Sequence, residues 1–262
     1  MVLVIKRRVF NRFIISLVYL DLLITAELLT ISNLIVYGIF IHLITLFLLI
    51  IHSALTLDRE FSKLLLALTL APLIRIVSLT LPLSQFSYLM WFILVSIPLY
   101  IALFTCIYTQ GLSIRDIGLI PPRLRDIPLE ILIVLLGIPA GIIEYYILKP
   151  GMLVDLKPGL QYFIVPSIVL ILSTGFLEEL IFRGVMQFNA LKTMGLYGLF
   201  YTSILFSILH LGNLSILDVI LAFTIGLIYS IVVRKTKSIY GVSISHGLTN
   251  IVLFLIAPQL YG

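Results

Sequence analysis

Three short constellations in the last hundred residues carry side chains able to do chemistry. Glu178 and Glu179 are adjacent, and Arg183 follows four residues after the second. Phe206 and His210 are four apart, as are His246 and Asn250. Residues four apart share a helix face, so Glu179 and Arg183 can pair in the favourable acid-first order. Glu178 is turned by about 100° from Glu179 on such a helix and is left for other work. A carboxylate outside an ion pair suits a general base. Imidazoles exchange protons near neutral pH. The Asn250 carboxamide brings two donors and an acceptor, and donors placed beside a carbonyl stabilise an oxyanion. Two carboxylates, two imidazoles and one amide make a set for hydrolysing an amide with activated water. His and Glu are also ligands of catalytic zinc, so Glu178, His210 and His246 form an alternative zinc set. The helical His-Glu-x-x-His motif is absent, because the residues before His210 are apolar. No Gly-x-Ser-x-Gly occurs, and the lone Cys106 lies far away with no motif around it, which leaves no pattern for a Ser or Cys nucleophile. Each constellation also has a plain structural reading: a helix-end salt bridge, a hydrogen-bonded core histidine, an Asn–His pair bridging helices.

The elements that must hold these residues are membrane helices. Of 262 residues, 61% are hydrophobic and 11% charged, and the mean hydropathy is +1.21. A soluble domain carries about 25% charged residues. A water-soluble globule of this size has too little polar surface to hide so much apolar area. A soluble enzyme, a disordered chain and a nucleic-acid-binding module are excluded. The fold class is an all-α integral membrane protein, a bundle of eight or nine transmembrane helices. Apolar runs mark spans at roughly 13–30, 33–55, 64–82, 88–109, 127–148, 161–186, 196–211, 215–233 and 239–257. The first two are poorly separated, which makes the count eight or nine. The first span reads as uncleaved rather than as a signal peptide, since no small-residue cleavage site follows it.

Charge sets the expected orientation. With the N-terminus cytoplasmic, fourteen of the seventeen lysines and arginines fall in cytoplasmic gaps, including Arg183 and Lys192, against Lys149 and Lys157 on the other side. A nine-span layout puts the C-terminus outside. The polar stretch Gly111–Asp126 divides residues 1–110, four N-terminal spans, from residues 111–262. The absence of targeting signals fits the plasma membrane of a prokaryote. Ionisable residues within spans are functional candidates by default. Asp21, Glu27, Arg75, Glu144 and Asp218 join the set on that ground. Glu27, Glu144 and Arg183 are expected near span ends, reaching the interface, and Asp21 and Arg75 deeper, pairing with each other or with backbone. With Gly184–Lys192 cytoplasmic, Glu178 lies about 10 Å below that face and His210 about 20 Å deep. The expectation that reconciles them is an interfacial start for span seven, at Tyr197 and Tyr201, and a cavity open to the cytoplasm.

Glu178-Glu179-x-x-x-Arg183, then Phe206-x-x-x-His210, then His246-x-x-x-Asn250 resembles the three-motif signature of the CPBP intramembrane endopeptidases. That family includes the type II CAAX prenyl proteases and bacteriocin-processing or self-immunity (Abi-like) proteins. The resemblance covers roughly 110–257, most strongly 174–250, and includes Gly184, Ser203 and the span bearing Gly226; residues 1–110 match nothing nameable. It implies a CAAX protease-like catalytic domain in 111–262. Glu178 and His210 would hold and activate water, and His246 and Asn250 would form the oxyanion site. Glu179 would belong to the catalytic group, with Arg183 and Phe206 in support. The implied partners are a membrane-anchored or prenylated peptide or protein substrate and the lipid bilayer, with no nucleic acid. Zinc-dependent and metal-free glutamate mechanisms both stay open. The leading expectation is an intramembrane endopeptidase cutting a peptide bond near the membrane surface. Two other classes compete: a noncatalytic immunity or scaffold protein of the same fold, and a proton-coupled transporter. A transporter is expected to show broken helices or paired repeats, and the sequence shows neither.

Overall fold

The computed structural model describes residues 2–154 and 159–262, with side chains from residue 10 onward. Lys157 and the side chains of Lys6, Arg7 and Arg8, all counted in the charge argument, lie outside the described residues. The described chain is helical throughout. The helices are α1 (Val2–Ile31), α2 (Ile35–Leu55), α3 (Arg59–Thr80), α4 (Tyr88–Gln110), α5 (Ile127–Leu148), α6 (Gln161–Met194), α7 (Tyr197–Ile208), α8 (Ile216–Thr236) and α9 (Tyr240–Tyr261). With no water in the hydrocarbon core to satisfy peptide groups, chains this apolar must satisfy them along the helix.

Eight of these helices are long and apolar enough to span a bilayer. The eight arise differently from the sequence expectation. The first two spans are distinct, separated by the turn at Ser32–Leu34 with Asn33 in the left-handed region (φ 62°). The segment expected as span seven falls short instead. Only twelve residues of α7 are α-helical, and the chain continues as a 3₁₀ turn over Leu209–Asn213. Local sequence explains several boundaries. Asp58 caps α3 through its side chain and the Phe61 amide (3.3 Å), and Ser215 caps α8 through the Asp218 amide (3.4 Å). Helix α3 breaks at Thr69, three residues before Pro72, whose ring crowds the preceding turn.

The sixth helix differs most from expectation. It does not end near 186 but runs on to Met194, with π-helical turns at Ile171–Phe176 and Leu180–Met186 on either side of Glu178 and Glu179. Gly184–Lys192 is therefore helix and not loop, and Arg183 is buried instead of reaching the interface. Glu178 sits about 24 Å from the helix end. The expected mismatch in depth with His210 disappears, and span seven needs no special entry to correct it. Isolated π turns occur mostly at functional sites.

One apolar core joins the N-terminal helices to the rest. Leu23, Leu49, Leu64 and Leu103 share a cluster with Phe182, Tyr201 and Val242. Close helix approach brings the motif-bearing helices together. An added Cβ at Gly175 on α6 would strike the Ser243 carbonyl oxygen of α9. Small residues of this kind are how membrane helices approach closely enough to pack. The hydroxyl of Ser245 on α9 donates to the Ile133 carbonyl of α5 (2.6 Å), and Tyr229 on α8 donates to Ser245 (2.7 Å).

The basic segments meet at one end of the bundle. Arg12 pairs with Asp58 and reaches the Thr193 carbonyl. Lys63 donates to the Gln110 carbonyl, Arg123 to that of Lys235, and the Ile239 amide to that of Gly118. This clustering is what the charge count anticipated.

Candidate active site

A cavity of about 550 Å³ opens among α3, α4, α5, α6, α7, α8 and α9. Glu178, His210, His246 and Asn250 all line it, so three helices far apart in sequence deliver an acid, two rings and an amide to one space. Phe206 lines it too. Glu179 does not. It is fully buried behind the cavity wall, where its Oε1 accepts from Arg183 Nη1 (2.8 Å) and meets His246 Nδ1 (2.9 Å). Glu179, expected in the catalytic group, thus lies behind the cavity wall and not in it. The division between the two carboxylates read from helix geometry holds: Glu178 is 33% exposed and Glu179 0%.

Hydrogen bonding determines which ring atoms face the cavity. A carboxylate only accepts, so His246 Nδ1 donates to Glu179, and its Nε2 lies 3.9 Å from Glu178 Oε2. His210 Nδ1 lies 3.2 Å from the Phe206 carbonyl, which also only accepts. In its neutral form His210 therefore carries its proton on Nδ1 and has an acceptor lone pair on Nε2. Asn250 Nδ2 donates to Thr174 Oγ1 (2.8 Å), and Thr174 donates in turn to the Leu170 carbonyl (2.6 Å). Thr174 thus orients the amide. Its only signal in the sequence was a polar residue on the helix of the two glutamates.

Phe206 is the hub of the packing. Its ring centroid is 4.8 Å from that of His210, 5.9 Å from that of His246 and 5.1 Å from that of Phe182, and the Arg183 guanidinium carbon sits 4.4 Å from it. Arg183 is held between Glu179 and this aromatic face, where a desolvated cation–π contact is worth about 2 kcal/mol. The arrangement leaves no room at Gly226 on α8. A Cβ there would stand 2.9 Å from Arg183 Nη2 and 3.2 Å from Phe206 Cδ1. Gly226→Ala is expected to destabilise the protein by about 1–3 kcal/mol through overpacking. It is also expected to lower activity, by shifting the Arg183–Glu179–His246 chain. Thermal unfolding in detergent beside a turnover assay checks both; an unchanged melting temperature would mean that Arg183 has slack.

Among the described residues, no group of three His, Cys, Asp or Glu side chains converges in a way that could hold a metal ion. Glu178, His210 and His246, the expected zinc set, share a cavity without forming such a cluster. As placed, these donors do not converge on a zinc ion.

The cavity also contains residues that sequence reasoning placed elsewhere. Glu144 lines it instead of reaching the interface, within electrostatic range of Asp218, His246 and Glu178. Asp218 lines it and accepts from Asn213 Nδ2 (2.8 Å). Arg75 lines it as well, and its partner is Glu27 rather than Asp21: Arg75 Nε donates to Glu27 Oε1 (2.6 Å). Asp21 faces the outside of the bundle, while Glu27 is fully buried rather than interfacial. Tyr88, Leu148, Pro150 and Asn213 line it as well. Tyr88 begins α4, Leu148 ends α5 and Asn213 closes the turn after α7, so the lining extends to the end of the bundle remote from the basic segments.

Residues 160–252 match the family model described as type II CAAX prenyl endopeptidase, Rce1-like. This match contains all three motifs and supports the CPBP and CAAX protease family that they resemble. No curated protein and no solved structure matches the chain.

Proposed function

We propose that this protein, at the family level a CAAX-type intramembrane protease, hydrolyses a peptide bond of a membrane-anchored substrate with water activated by Glu178 and His210. The observation that carries this reading is the shared cavity of Glu178, His210, His246 and Asn250. A water between Glu178 and the Nε2 lone pair of His210 gives up its two hydrogens as hydrogen bonds to two acceptors. Its own lone pair then points at the scissile carbonyl. As the oxygen–carbon bond forms, the proton passes to Glu178. The carbonyl becomes an oxyanion facing the Asn250 amide and the His246 imidazolium, which donates from Nδ1 to Glu179 and from Nε2 to the oxyanion. When the carbon–nitrogen bond breaks, Glu178 returns the proton to the leaving amine. Each polar partner is oriented by another: His246 by Glu179 and Glu179 by Arg183 from behind the wall, and Asn250 by Thr174 within it.

We place the approach of the substrate at the end of the bundle remote from the basic segments, where Tyr88, Leu148 and Asn213 line the cavity. The noncatalytic reading is disfavoured by the buried chain Arg183–Glu179–His246, which serves to aim a ring into the cavity. The test is cleavage of reporter peptides carrying a membrane anchor by the purified full chain in lipid vesicles, with new termini identified by mass spectrometry. A single cut close to the anchor is expected. Intact peptides across a broad panel, including prenylated ones, would sink the proposal.

A further inference from the structure

Arg75 brings the unmatched N-terminal helices into the cavity. Its Nε is taken by Glu27 Oε1 at 2.6 Å, and His42 Nε2 lies 3.1 Å from the same oxygen. Glu27 and His42 are both fully buried, whereas the Arg75 side chain is 15% exposed. Glu27 on α1 therefore holds the guanidinium from behind, with His42 on α2 against the same carboxylate oxygen. An Arg fork has five N–H donors, and this grip uses the one on Nε. The terminal nitrogens lie beside Gly212, where a Cβ would stand 3.1 Å from Nη2. Gly212 is in the turn that carries His210 and Asn213, both of which line the cavity.

Among the described residues lining the cavity, Arg75 is the one permanent cation, in a wall that also holds Glu144, Glu178 and Asp218. Its ion pair is with Glu27 behind it rather than with these carboxylates. A buried Arg–Glu–His trio is expensive to desolvate and could be replaced by apolar packing if it served stability alone. Its geometric product is a rigid fork presented to the substrate space.

We infer that Arg75 is a specificity residue that binds a carboxylate of the substrate as a forked ion pair, anchored from behind by Glu27, which packs against His42. Planar, two-point recognition of a carboxylate is what a fixed guanidinium does best. A dianionic phosphate would add a second negative charge opposite the three wall carboxylates, so a singly charged carboxylate is the better match. It comes from the C-terminus of the peptide or from an acidic side chain. The inference rests on the hydrolase reading for the ligand's being a peptide.

The test separates binding from cleavage. The full-length Glu178→Gln protein, in lipid nanodiscs, is titrated with three fluorescent anchored peptides: a C-terminal free acid, its amide, and the amide with one internal glutamate. The free acid, the glutamate peptide or both are expected to bind about tenfold tighter than the plain amide. Which one does so identifies the source of the carboxylate. Adding Arg75→Gln should bring the ratio close to one, and Arg75→Lys, which keeps charge without the fork, should leave it at a few-fold. The lysine variant decides the matter if the glutamine variant fails to fold. Equal binding of all three peptides, no binding of any, or an equal loss for all on substituting Arg75 would overturn the inference. A preference that depends on Arg75, with no cut by the wild type, would leave it standing while the hydrolase reading falls.

Discussion

Glu178→Gln is expected to lower kcat/KM on any cleaved peptide by about 10²–10⁴-fold, the range that a positioned general base contributes. Glutamine has nearly the same shape and still lines the cavity, but it cannot take a proton from water. The change should appear in kcat, because the substrate does not need the carboxylate in order to bind. Stability should hardly move. Glu178 is 33% exposed, and its nearest ionic contact, His246 Nε2, is 3.9 Å away. Turnover with purified variants, beside unfolding in detergent, measures both. Residual activity within a few-fold of wild type, from a sample free of contaminating protease, would remove Glu178 from the proton transfer.

Arg183→Ala has the largest expected effect on the fold. It leaves the Glu179 carboxylate with no guanidinium at a position that is 0% exposed. Breaking a buried pair in this way costs about 3–5 kcal/mol, because the surviving charge stays desolvated. The contact of Arg183 with Phe206 is lost as well. A second variant divides the effect. Glu179→Gln with Arg183→Met removes both charges and should recover part of the stability, since well-packed neutral residues often replace a buried pair at little loss. Activity should stay low in the double variant, because His246 Nδ1 loses the carboxylate that orients it. Recovery of both stability and activity would mean that the pair does nothing for His246. The measurements are the unfolding midpoint in detergent and kcat on one peptide.

The glutamate–arginine motif and the basic segments were legible because their information is local. Glu178 and Glu179 had to point in different directions, and Glu179 had to find Arg183, from helix periodicity alone. The basic segments assembled at one end because adjacent helices run in opposite directions, and alternate gaps must then share a side. Helix ends were less legible. The length of α6 was misread because Arg183 and Lys192 look like loop cations. Arg183 is sheltered inside the bundle, and the Lys192 ammonium lies over the Phe188 ring (4.1 Å). That one error produced the false depth difference between Glu178 and His210.

Taken by itself, the order of residues established a helical membrane protein, the faces of its motif helices, and a set of side chains fit for amide hydrolysis. Packing alone brought the four motif side chains to one cavity, set Thr174 against Asn250 and Glu179 against His246, and paired Arg75 with Glu27 and not with Asp21. The reason is range. Periodicity and charge patterns act over one or two turns of a helix, whereas a cavity and its buried ion pairs are built from helices whose contacts are 50 to 200 residues apart and leave no regular spacing along the chain.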